Sequence, residues 1–201
     1  MEEGGTVRNL MTRTVVALAV AGVAGGLTAC TPTINCSQIK SQYADAPAST
    51  ISVDNAEKAV FCLTNDQRTS RGLPAYTLSS KLGTAARGHA NAAVAQKWWV
   101  NGADPHVNPQ GNTTPASRAR AAGYCPSGNA RVHENVYWGW GSPSGPTPRA
   151  AVTWWMNSTG HRANILHADL REIGVGVAKG APEPGSRPNA AVFVQKFGAC
   201  T

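Results

Sequence analysis

The sequence predicts an α+β fold with an antiparallel sheet, on three observations. Segments with helical periodicity carry recognisable start and stop signals. Segments rich in β-formers come mostly after them. The last two β-segments are joined by a Gly/Pro loop, Gly180 to Pro188, that pairs them locally.

The elements follow in order. A first helix is expected from Asp54, with Glu57 as capping-box partner, Val60, Phe61 and Leu63 on its apolar side, and an end at or before Gly72 and Pro74. A second runs from Ser79 to about Trp98 and sets Leu82, Ala86, His89 and Ala93 on one face. Thr114-Pro115 opens a short third helix that Gly123 stops, and Thr147-Pro148 opens a fourth that ends near Asn157. Strands are expected over Glu134 to Trp140, Ile173 to Ala178 and Ala191 to Phe197. The Gly-, Ser- and Pro-rich stretch Trp138 to Pro148 reads as a surface loop, and no internal repeat is visible.

The start of the chain reads as an export signal. Arg8 and Arg13 form a basic region, Val15 to Leu27 an apolar run, and Leu27-Thr28-Ala29-Cys30 a lipobox; Met11 is an alternative initiator. The apolar run is short and rich in Gly and Ala for a membrane span. Residues 1–29 therefore read as a lipoprotein signal peptide, 30–53 as a tether and 54–201 as the folded domain. Lipidation of Cys30 accounts for one of the five cysteines. The other four, Cys36, Cys62, Cys125 and Cys200, suit two disulfides in an exported chain, with three connectivities open. The closeness of the first two favours Cys36 with Cys62 and Cys125 with Cys200. No close Cys pair supports a zinc cluster.

The formal charge is +7, unchanged when residues 1–29 are removed. A basic exported surface attracts anionic lipid heads or acidic wall polymers, or is simply a solvated face. Nothing resembles a nucleic-acid-binding module.

One stretch is more specific than the rest: Trp155-Met156-Asn157-Ser158-Thr159-Gly160-His161-Arg162-Ala163-Asn164-Ile165-Leu166, continuing through Arg171-Glu172-Ile173-Gly174-Val175-Gly176-Val177-Ala178. With His89-Ala90, Asp104-Pro105-His106, Ala122-Gly123-Tyr124, Glu134-Asn135-Val136-Tyr137-Trp138-Gly139 and Val194-Gln195-Lys196-Phe197-Gly198 in order, it resembles the bacterial branch of the CAP superfamily (cysteine-rich secretory proteins, antigen 5, pathogenesis-related proteins; the SCP domain) over roughly Asp54 to Gly198. The resemblance implies a three-layer α-β-α sandwich with a central antiparallel sheet. It also implies a cleft in which His106, Glu134 and His161 meet and hold a ligand or a divalent metal such as zinc.

Two imidazoles and a carboxylate form a sensible first shell for zinc. Ser158 or Thr159 would cap the helix beginning beside His161 and keep that ring neutral. The sequence departs from the family pattern where Ser158 replaces a second glutamate, His133 a glycine and Pro105 a serine, so metal binding is expected to be weak. His133-Glu134 fails as a zincin motif because position 137 is Tyr. His89 is expected to be a hydrogen-bonded residue on a buried helix face, and His133 and His167 exposed or structural. Arg162, Asn164 and Leu166 read as scaffold. The pairs Trp98-Trp99 and Trp154-Trp155 read as core filler with one ring exposed, or as a carbohydrate or lipid platform. There is no Gly-x-Ser-x-Gly elbow and no cysteine placed as a nucleophile.

The expected protein is thus an exported, lipid-anchored binding module on the outer face of the cell membrane. The resemblance implies a lipid or sterol-like ligand or a protein partner, and the basic charge an anionic wall polymer. The alternatives are a metal-dependent hydrolase with Glu134 as base and a wall-associated structural lipoprotein.

Overall fold

The computed structural model describes residues 34–141 and 145–201, together with Met1. The signal peptide, the lipobox with Cys30 and the first residues of the expected tether lie outside the described residues, as do residues 142–144 of the loop before the fourth expected helix.

Six helices and four strands follow one another: α1 (Cys36–Tyr43), α2 (Val53–Thr69), β1 (Thr77–Leu78), α3 (Ser80–Gln96), α4 (Pro115–Ala121), β2 (Ala130–Gly139), α5 (Pro148–Asn157), α6 (Thr159–Ile165), β3 (Glu172–Lys179) and β4 (Ala191–Cys200). The sheet order is β1-β3-β4-β2. β4 pairs antiparallel with both β2 and β3, while the two-residue β1 runs parallel to β3. The expected α+β sandwich on an antiparallel sheet is present, with that one parallel addition.

Local chemistry explains most boundaries. Ser79, Thr114 and Thr147 cap α3, α4 and α5, each hydroxyl accepting a backbone N–H three residues on, with Pro115 and Pro148 opening their helices. α2 starts earlier than expected: the cap is Ser52, whose Oγ accepts the Asn55 N–H at 3.1 Å. Glu57 is not a capping-box partner. Its carboxylate receives Arg87 Nε at 2.9 and 3.0 Å and the Val177 N–H of β3 at 3.2 Å.

Residues 34–53 are not a free tether. They form α1 and a following turn, held by the Cys36–Cys62 disulfide, and Ala44 and Ala48 are fully buried in the core. The second disulfide joins Cys125 to Cys200.

Alternation along the strands sorts the two cores. Odd-numbered Ile173, Val175, Val177, Phe193 and Phe197 pack with α2, α5 and α6, where Val60, Trp155 and Ile165 are buried. Even-numbered Val136, Ala178, Val192 and Val194 pack beneath Ala86, Ala90 and Ala93 of α3 and against Trp98 and Trp99. On that side Gly174 and Gly176 permit an unusually close approach. A Cβ on Gly174 would lie 2.1 Å from the Leu82 carbonyl carbon, and one on Gly176 2.3 Å from that of Ala86. The layers are therefore α1, α2, α5 and α6, then the sheet, then α3 and α4. β2, at one edge of the sheet, is the strand over which the two helical layers face each other.

Candidate ligand-binding cleft

The edge of β2 gathers the residues of interest from both layers. Glu134 points to the α3–α4 side, His106 comes from the loop between those helices, and His161 comes from α6 on the opposite layer. His106 is fixed by its N–H to Asp104 Oδ1 at 2.8 Å. Its Nδ1 donates to Glu134 Oε1 at 2.9 Å. Burial first, then the neighbouring His106, holds the His161 pKa below the usual imidazole value. His161 also approaches β2 through its carbonyl, which accepts Asn135 Nδ2 at 3.1 Å.

Glu134 is the centre of a buried charge cluster that the sequence reading did not anticipate. Its side chain is 1% exposed, and opposite it across the β2–β4 ladder stands fully buried Lys196, whose Nζ contacts Oε2. Arg118 of α4 reaches both carboxylate oxygens at 3.1 Å, the His106 carbonyl at 2.9 Å and the Thr113 carbonyl at 2.6 Å. Burial by itself would raise the Glu134 pKa. The His106 hydrogen bond and the charges of Lys196 and Arg118 outweigh it and hold that pKa down to about 2. Burial, helped by Arg118, pushes Lys196 down to about 8, so the pair is ionised at neutral pH.

His89 lies on the buried face of α3, as expected. Its Nε2 donates to the Pro105 carbonyl at 2.9 Å, and burial drives its pKa down to about 4. His133 is structural, with Nδ1 bonded to Asn164 Oδ1 at 2.7 Å and its ring edge-on to His167. Asn164 fulfils its scaffold role, donating to the Glu134 carbonyl at 3.3 Å and to Asn135 Oδ1 at 2.9 Å. Ser158 makes no side-chain cap on α6. Its hydroxyl instead pairs with His161 Nδ1 at 2.7 Å.

The donor set does not fit the three-ligand metal shell that the family resemblance implies. Both oxygens of Glu134 are engaged by cations and by His106, and Lys196 and Arg118 together leave one surplus positive charge beside the cleft. Among the described residues, no group of three His, Cys, Asp or Glu side chains is placed to hold a metal ion. Glu134 accepts from His106 Nδ1 and from both cations at once. The ring donates through Nδ1, which leaves Nε2 as the imidazole nitrogen not used by Glu134.

Beside this cluster runs a groove of ≈ 320 Å³ lined by Trp99, Pro105, Val136, Tyr137, Trp138 and Trp154 among others, none of them charged. Pro105 adjoins His106 in the chain, and the Trp154 ring lies 4.8 Å from the His161 ring. Trp155 is the core filler of its pair, fully buried with Nε1 bonded to the Val136 carbonyl at 3.0 Å, while Trp154 is 48% exposed.

The sequence model of the cysteine-rich secretory protein family (CAP) matches residues 61–197. The chain is 31% identical over 126 residues to the uncharacterized protein YkwD of Bacillus subtilis, a match covering 62% of this chain and 43% of that protein, less than half its length. Among solved structures it is similar to an outer surface protein of Borrelia burgdorferi, with TM-score 0.58, 21% identity, and coverage of 75% of this chain and 97% of that one. It is also similar to an extracellular SCP-domain protein of Bacillus anthracis, with TM-score 0.53, 21% identity and coverage of 73% and 43%. With the sandwich and these matches together, the chain belongs to the cysteine-rich secretory protein (CAP) family.

Proposed function

We propose that this CAP domain is exported, lipid-anchored at Cys30, and works as a binding module whose aromatic groove beside His106 and His161 takes up an uncharged, largely apolar ligand without turnover. The observation that carries this reading is the state of Glu134. Its carboxylate is buried and fully paired, so it is not free to act as base or nucleophile, whereas the groove next to it is open, aromatic and uncharged. Export is supported by the two disulfides, which persist in oxidising compartments. It is further supported by the basic-then-apolar start that ends in the lipobox. A divalent metal enters only as a weak occupant of the His106 and His161 imidazoles.

The test is titration with the uncharged fluorophore N-phenyl-1-naphthylamine. Saturable binding should survive chelator and weaken in Trp154→Ala. Binding that is absent, or equal in wild type and variant, defeats the groove. Metal-dependent hydrolysis lost in a folded Glu134→Gln variant would restore the hydrolase alternative.

A further inference from the structure

The groove has a polar floor as well as aromatic walls, and that floor is main chain. In the β2–β4 ladder, the Val136 carbonyl accepts Trp155 Nε1 and the Glu134 carbonyl accepts Asn164 Nδ2, so even-numbered residues of β2 turn their N–H and C=O groups away from β4. The next even-numbered groups are the N–H of Val136 and both the N–H and C=O of Trp138. Among the described residues these three have no hydrogen-bond partner, and both residues line the groove. The other sheet edge is treated differently. There β1 covers the start of β3, and the Glu57 carboxylate takes the Val177 N–H.

Trp99 is 8% exposed and walls the same groove with its ring, its indole Nε1 enclosed. Two main-chain N–H donors and one carbonyl, flanked by uncharged rings, complement a ligand that carries carbonyl oxygens at strand spacing between apolar side chains.

We infer that the outer edge of β2 is a docking site for an extended, uncharged polypeptide segment, which adds to the sheet as a further strand with its apolar side chains between the Trp99 and Trp154 walls. This rests on the groove being the binding site and names the class of its ligand. Unpaired main-chain groups at a strand edge are a template for such pairing. Indole and phenol walls admit alternate apolar side chains, and the absence of a charged lining residue leaves a charged side chain without a partner.

The experiment uses the exported protein and two capped hexapeptides, acetyl-Thr-Val-Thr-Val-Thr-Val-amide and its fully N-methylated analogue, followed by amide NMR. The unmodified peptide should move the Val136 and Trp138 amide protons downfield, and N-methylation should weaken binding by about tenfold or more. Trp138→Pro, at an outward-facing edge position where proline is tolerated, should lose the peptide while Trp138→Ala keeps most of it. If Trp138→Pro does not fold, the N-methyl comparison still decides. Equal binding of both peptides overturns strand addition. Uptake of N-phenyl-1-naphthylamine without either peptide overturns the peptide inference and leaves the groove standing, whereas binding of no probe overturns both.

Discussion

Glu134 and Lys196 face each other as direct partners across β2 and β4, both buried, with the Lys196 ammonium on Oε2 of the carboxylate. Arg118 holds the same carboxylate from above. Glu134→Gln would leave two cations without a counter-charge. It should cost about 3–5 kcal/mol of stability, read by urea denaturation. Lys196→Met should be milder, because Arg118 and His106 still satisfy the carboxylate. Equal stability of wild type and Glu134→Gln would contradict the cluster's structural role.

Acid should unfold the domain in two stages. The folded His89 pKa, about 4, lies below the ordinary 6.5, so the unfolded chain binds the extra proton first. Stability from this neutral ring is complete above pH 6.5 and declines as pH falls towards 4. Glu134, with a folded pKa of about 2 against 4.5, adds a second decline from pH 4.5 towards 2. Each stage is worth on the order of 3 kcal/mol. Denaturation series from pH 7 to 3 should show both, and His89→Asn should remove the first. A flat profile between pH 6.5 and 4.5 would refute the assignment to His89.

The two disulfides close loops of different length, with sequence separations of 26 for Cys36–Cys62 and 75 for Cys125–Cys200. Chain entropy predicts losses of about 3.5 and about 4.5 kcal/mol respectively when each is replaced by serines. Thermal melts of the two double variants check the order. Thiol titration after denaturation without reductant should find none of these four cysteines free.

On the proposed reading the mature chain begins at an acylated Cys30. Mass spectrometry of the membrane fraction should detect a diacylated or triacylated N-terminal peptide, and Cys30→Ser should release the protein from membranes. An unmodified N-terminus at another residue would end the lipid-anchor proposal.

Zinc should bind weakly. Competition titration should give an affinity far below that of a three-ligand site, because the Glu134 carboxylate is already engaged by Lys196 and Arg118 and the adjacent charge is positive. His106→Ala and His161→Ala should each abolish it. Tight binding that disappears in a folded Glu134→Gln variant would reinstate the carboxylate as a ligand.

What the sequence made legible was local. Thr114-Pro115 and Thr147-Pro148 announce helix starts because cap and proline act within one turn. The four-and-three spacing of Leu82, Ala86, His89 and Ala93 marks a face that is fully buried. α1 escaped because it buries none of its own residues, and its order comes from Cys36–Cys62 and from small Ala44 and Ala48, which carry almost no hydropathy signal. β1 escaped because two exposed residues hold no pattern. At the site, His106, Glu134 and His161 were brought together by resemblance alone, and Arg118 and Lys196 were overlooked. Lys196 did leave a trace. A lysine between Val194 and Phe197, in phase with the inward Val192 and Val194, requires a buried acid, and Glu134 is the acid of β2.

The contact of Gly174 and Gly176 with the backbone of α3 has a mechanical consequence. With no side chain between helix and strand, nothing there can change rotamer to let α3 slide or lift. The helix that carries His89 is therefore held fast against the sheet. Any adjustment to an occupant must come from the loop that carries Trp99 or from the Trp154 side chain on α5. A bulkier guest is accommodated by the outer walls, and the sheet beneath keeps its shape.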